Sequence, residues 1–154
     1  DISNDAAFRE ALLKLEPADA RIVGAKFVES VAPLADDQRL RRIVDVASSS
    51  EATEEELEVS RKLATSIMVD TYTRCGADGD WNEQAGYFVA RAAAACLAPL
   101  EKGKPGGPAW QAAMSSRMAR TSAAINAGDG AESESGKQYH ILSDYLETRE
   151  RETS

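Results

Sequence analysis

The chain has 154 residues, 43% apolar and 29% charged, a balance that belongs to one folded domain and lies far from the composition of disordered chains. Its 18 basic and 26 acidic residues give a formal charge of −8, which argues against a nucleic-acid partner unless a local basic patch reverses the field. No apolar run approaches the roughly 18 to 20 residues that cross a bilayer, so no membrane association is expected, and the two cysteines, Cys75 and Cys96, are too few for a disulfide framework and point to a reducing, cytoplasmic compartment.

The chain opens at Asp1 without an initiator Met and without a charged-then-apolar leader, which leaves room for an upstream segment. Apolar residues recur at spacings of three and four throughout, so the expected fold is all-α: a single-domain bundle of six to seven helices over residues 1–154. A first helix is predicted over residues 5–15, with Phe8, Leu12 and Leu15 on one face, and stops at Glu16 because the residue before a proline leaves the helical region. Pro17 suits the first turn of the second helix, whose stripe is Ala20, Val23, Phe27 and Val31 and which Pro33 closes. The third, over residues 37–47, turns Leu40, Ile43, Val44 and Ala47 inward and leaves through Ser48, Ser49 and Ser50. Its basic cluster, Arg39, Arg41 and Arg42, stands among Asp36, Asp37 and Asp45 and reads as a face neutralised by its own acids, not as a phosphate track.

Thr53 and Glu56 form a capping box in which hydroxyl and carboxylate each take a free backbone N–H, and Glu54 and Glu55 add charge suited to the positive end of the helix dipole. The fourth helix is expected to run through Leu57, Ala64 and Met68 to Cys75, with Gly76 as its left-handed stop. Asp80 with Glu83 caps a fifth, carrying Trp81, Ala85, Phe88, Val89, Ala92 and Cys96 to about residue 98. A connector over 101–107 leads to a sixth helix from about Pro108, whose stripe is Trp110, Met114, Met118, Thr121 and Ile125 and which Gly128 ends. A second polar connector, 128–135, precedes a last helix begun by a Ser135–Gln138 capping box and bearing Tyr139, Leu142 and Leu146. Both connectors are expected to be mobile. The small residues of 91–98 and 112–127 make the fifth and sixth helices the expected central neighbours.

Chemistry-bearing patterns are sparse. One His and two separated Cys fall short of the about four ligands that a zinc site needs. Asp78, Asp80 and Asn82 resemble the opening of a calcium loop, yet Glu83 stands where the sharp turn requires Gly and Val89 replaces the closing acid. Gly103, Gly106 and Gly107 lie between two helices, and Pro105 among them removes a donor that a phosphate cradle would use. His140, beside Tyr139, is the one imidazole, and no nucleophile is paired with it in sequence. Glu54 with Glu58 belongs to a charged helix face, and Trp110, Met114 and Met118 read as core. No metal, no cofactor and no catalytic residues are therefore assigned.

Residues 25–31 (Ala-Lys-Phe-Val-Glu-Ser-Val), followed by Asp37, Arg39, Arg42, Val44, Val46 and Ala47 and by the acidic capped start at 52–57, resemble small alanine-rich helical bacterial proteins that include immunity proteins of toxin systems. The alanine block 90–95 and the closing stretch 138–146 resemble the same group. The resemblance implies a helical, non-enzymatic protein that binds another protein, and it transfers no functional residues.

The leading expectation is a protein-binding helical module whose acidic surface docks a basic partner, an immunity-type protein in the reading the resemblance suggests. Glu54, Glu55, Glu58 and Trp81 are its candidate contact residues, Trp81 because a tryptophan at a helix start can sit at the domain rim. Two alternatives are a structural component that forms homo-oligomers within a larger assembly, and a small-ligand binder with a pocket between the fifth and sixth helices near His140 or Tyr87.

Overall fold

A computed structural model of the chain describes residues 2–78, 81–99, 106–127 and 133–153. Among these there are seven α-helices and no strand: α1 (Asp5–Leu13), α2 (Pro17–Val31), α3 (Arg39–Ala47), α4 (Glu54–Asp78), α5 (Trp81–Cys96), α6 (Gly107–Ala127) and α7 (Ser133–Thr153). The order and number of elements agree with the sequence reading. So do the proline at the first turn of α2 and the Thr53–Glu56 box, in which Thr53 N–H donates to Glu56 Oε1 at 2.9 Å and Glu56 N–H to Thr53 Oγ1 at 3.1 Å.

The centre is a wall of three helices. α5 and α6 meet through alanines, with Ala90, Ala92, Ala93, Ala112 and Ala119 all buried, because side chains no larger than a methyl let two backbones approach closely. α2 packs against both, and it buries Val23, Gly24, Ala25, Phe27, Val28 and Val31, a little over half its circumference, with Lys26 and Glu29 left exposed on the other side. One core lies on each side of this wall. The first gathers Val28, Val31, Leu40, Ile43, Ile67 and Val89 from α2 to α5. The second gathers Phe8, Leu12, Val23, Phe27 and Leu142 under α1 and α7, with Phe8 against Phe27 at 5.6 Å and Tyr139 at 5.2 Å between ring centres. Arg21 ties the far end together: its Nε donates to the Ala47 carbonyl at 3.0 Å and its Nη2 to the Ser49 carbonyl, so a charged fork satisfies the open carbonyls where α3 ends.

Four expectations are corrected. Gly76 does not stop α4, which continues to Asp78; a glycine ends a helix only where the chain then turns left-handed. The stripe of α6 is not Trp110, Met114, Met118 and Thr121: Met118 is 45% exposed, Thr121 is exposed, and Trp110 and Met114 are half-buried. The buried face is instead Ala109, Ala112, Ala113, Ser116 and Ala119, the side chains small enough for contact with α5 and α2.

Third, α7 begins at Ser133, so 133–135 are helix rather than connector, and Gln138 is no cap. Gln138 is fully buried; its Nε2 donates to the Ala113 carbonyl at 2.9 Å and its Oε1 accepts from Arg117 Nε at 2.8 Å. Fourth, Gly107 opens α6 instead of closing the preceding connector. The remaining parts of the two connectors, 101–105 and 128–132, lie outside the described residues, as do Asp80 and the Cys75 side chain.

Candidate functional site

The acidic start of α4 grows from its cap. Once Thr53 and Glu56 satisfy each other, the first turn projects Glu54, Glu55 and Glu56 into solvent at the positive end of the dipole, where negative charge is tolerated. Hydrogen bonds from Thr53, chiefly its backbone N–H, hold the Glu56 carboxyl below its ordinary range. Glu58 differs from its neighbours: Arg61, one turn on, grips it with Nε at 3.0 Å and with Nη2, so its charge is met within the helix. Glu54, Glu55 and Glu56 have no ion pair among the described residues, and the negative field of this turn is theirs, with Glu56 tied to the neutral Thr53.

Trp81 is not part of this patch. α4 has 25 residues and is therefore about 36 Å long from its first residue to its last, and α5 begins beyond its far end. The Trp81 side chain lies outside the described residues. Sequence reasoning missed three other side chains on α4. Val59 (61% exposed), Val69 (59%) and Tyr72 (68%) stand off the inward stripe of Ser60, Ala64, Ile67 and Thr71, with Lys62 between the first two. The signal was present, because helical spacing leaves each of the three outside the stripe that 60, 64, 67 and 71 define. The Tyr72 ring rests 5.9 Å from Tyr87 of α5, which in turn meets Phe88 edge-on at 5.2 Å. Carboxylates thus gather at the start of α4 and exposed apolar side chains stand on its outward half, Val69 near the middle with Val59 and Tyr72 on its two flanks.

The other residues singled out in the sequence lie apart from this face. His140 is exposed on α7 and approaches Asp144 of the same helix at 3.3 Å. Tyr87 belongs to the surface ring cluster, and α5 and α6 close on each other through alanines where a ligand pocket was considered. Cys96 is buried with its Sγ near the Ala93 carbonyl at 3.2 Å, and burial pushes its thiol up to about 12, so it stays protonated. Arg39 meets Asp37 at 2.7 Å, and its Nε and Nη2 hold the Asp37 carboxyl below its ordinary range.

A second polar constellation, also absent from the sequence reading, fastens α7. Glu134 is fully buried; its Oε1 accepts from Arg120 Nε at 2.9 Å and its Oε2 from Ser30 Oγ at 2.8 Å, while Arg120 Nη2 donates to the Ser30 carbonyl at 3.3 Å. One turn away, Arg117 joins Gln138 to Asp5, whose Oδ1 also accepts from the Tyr139 hydroxyl at 2.7 Å. Every member has a partner, which is the character of a structural network that fixes how α7 sits. Among the described residues no group of His, Cys, Asp and Glu is arranged to hold a metal ion, and no helix is long and apolar enough to cross a membrane.

No protein-family model matches the chain, and neither a curated protein nor a solved structure matches it.

Proposed function

We propose that this chain is a protein-binding helical module that holds a basic protein partner on the outward face of α4 and acts by occupying that partner, not by catalysis. The observation that carries the reading is the pairing on one helix of two exposed carboxylates without an internal cation, Glu54 and Glu55, with the exposed apolar side chains Val59, Val69 and Tyr72. Carboxylates at the edge steer a basic surface and set the register, and desolvated apolar and aromatic groups supply most of the affinity. An immunity-type protein neutralising a basic toxin inside the cytoplasm is the specific form that the resemblance of residues 25–57 supports.

The test compares the wild-type chain with E54K/E55K as bait for partners in native lysate at low and high salt. Reversal at the helix start costs about 1 to 2 kcal/mol through the dipole, which thermal melting will register without loss of the fold. Expected is a discrete basic protein whose recovery falls with salt on wild type and is lost on the variant. Equal recovery by both proteins at both salts contradicts the proposal. A stable dimer in light scattering that E54K/E55K leaves intact and V69D/Y72A dissolves supports self-association in its place.

A further inference from the structure

The sequence around Pro33 sets up a second feature. The last turn of α2 tightens into a 3₁₀ turn over Ala32–Leu34, the chain passes through extended Ala35, and α3 then folds back alongside α2. Between them lies an open groove of about 430 Å³. Ala32, Pro33 and Ala35 give it accessible apolar surface above the buried Leu40 and Val44, and Glu29, Asp36 and Asp45 stand exposed on its rim. None of these three carboxylates has an ion pair among the described residues. Asp37, also in the lining, is occupied by Arg39, and Arg41 is the one cation among the lining residues, so three open carboxylates outweigh one guanidinium.

We infer that this groove receives an arginine-bearing segment of the basic partner. An arginine side chain has the two halves that the groove requires: an apolar stem to cover Ala32, Pro33 and Ala35, and a planar fork that engages carboxylates two bonds at a time. A lysine has the stem without the fork. The volume is in the range of about 300 to 1,000 Å³ that suits small ligands, which admits one or two side chains and excludes a docked helix. The inference rests on the reading of the chain as a binder of a basic protein, and it names the chemistry of the partner residue that enters.

The probe is the capped dipeptide acetyl-Leu-Arg-amide, followed by amide chemical shifts of the isotopically labelled full chain. Saturable shifts confined to residues 29–45 are expected, weakened about tenfold in D36N/D45N, weaker for acetyl-Leu-Lys-amide and unchanged in E54K/E55K. Unsaturable shifts spread over the acidic surface, or equal affinity in D36N/D45N, would overturn the groove as a site. The titration needs no natural partner. If it fails while E54K/E55K still abolishes partner recovery, the groove alone is lost; if it succeeds while no partner is retained on α4, the groove stands and the α4 face falls.

Discussion

A β-carbon built on Gly24 of α2 would lie 2.8 Å from the β-carbon of Cys96 on α5. The two helices are in contact at that point because one of them carries no side chain there. Glycine inside a helix ordinarily costs about 1 kcal/mol relative to alanine, so Gly24→Ala would stabilise an exposed helix. Here the clash involves a rigid part of Cys96, and overpacking of a tight core costs about 1 to 3 kcal/mol. Gly24→Ala should therefore lower the melting temperature, by about 5 °C for a domain of this size, read by circular dichroism. An unchanged or raised melting temperature would mean that α2 and α5 separate freely.

The hold on α7 is tested at Glu134. Glu134→Ala leaves the mostly buried Arg120 guanidinium and the Ser30 hydroxyl without their acceptor, a loss of about 3 kcal/mol in urea unfolding. Arg120→Met with Glu134→Leu should recover most of that, since removing both charges leaves only the part-buried Ser30 hydroxyl and carbonyl without these partners. Equal losses in the single and double variants would show that the pair is not coupled.

Cys96 should react with iodoacetamide only as fast as the fold opens, because its buried thiol has been pushed up to about 12 and carries almost no thiolate at neutral pH. The check is the mass-resolved rate at the peptide containing Cys96, in native buffer and in urea. Rapid native labelling would contradict the central position of α5.

Hydrogen bonds from Arg117 and then Tyr139, working against desolvation, hold the Asp5 carboxyl below its ordinary value of 3.8. A depressed folded value contributes stability that is present above the ordinary value and lost as pH falls through the depressed one. Urea midpoints should thus fall more steeply below about pH 4 in wild type than in Asp5→Asn. Asp5 is half exposed, so the difference at neutral pH should stay under about 1 kcal/mol. Parallel acid profiles would remove Asp5 from the network.

The elements of this fold were legible because their punctuation is local: Pro17, Pro33 and the Thr53–Glu56 box act within one turn of where they stand. What escaped depends on partners distant in sequence. The buried face of α6 is alanine and serine, which carry little weight in a hydrophobic pattern until another backbone comes near. Ser135 and Gln138 have capping-box spacing, yet Gln138 is claimed by Ala113 and Arg117, more than 20 residues away. At the candidate site, Glu54 and Glu55 were readable as an acidic turn and the local Glu58–Arg61 pair was open to reading from its spacing, whereas the exposure of Val59, Val69 and Tyr72 became visible only with the inward stripe fixed.

The most direct test of a partner-docking face on α4 is site-specific photo-crosslinking with benzoylphenylalanine at Val59 and Val69, against Leu13 of α1, which is as exposed at 61% but lies on another helix. One discrete adduct at Val59 and Val69, diminished by salt and by E54K/E55K and absent at Leu13, is the predicted result. Adducts of equal yield at all three positions, or adducts at Val59 and Val69 indifferent to salt and to charge reversal, would contradict it.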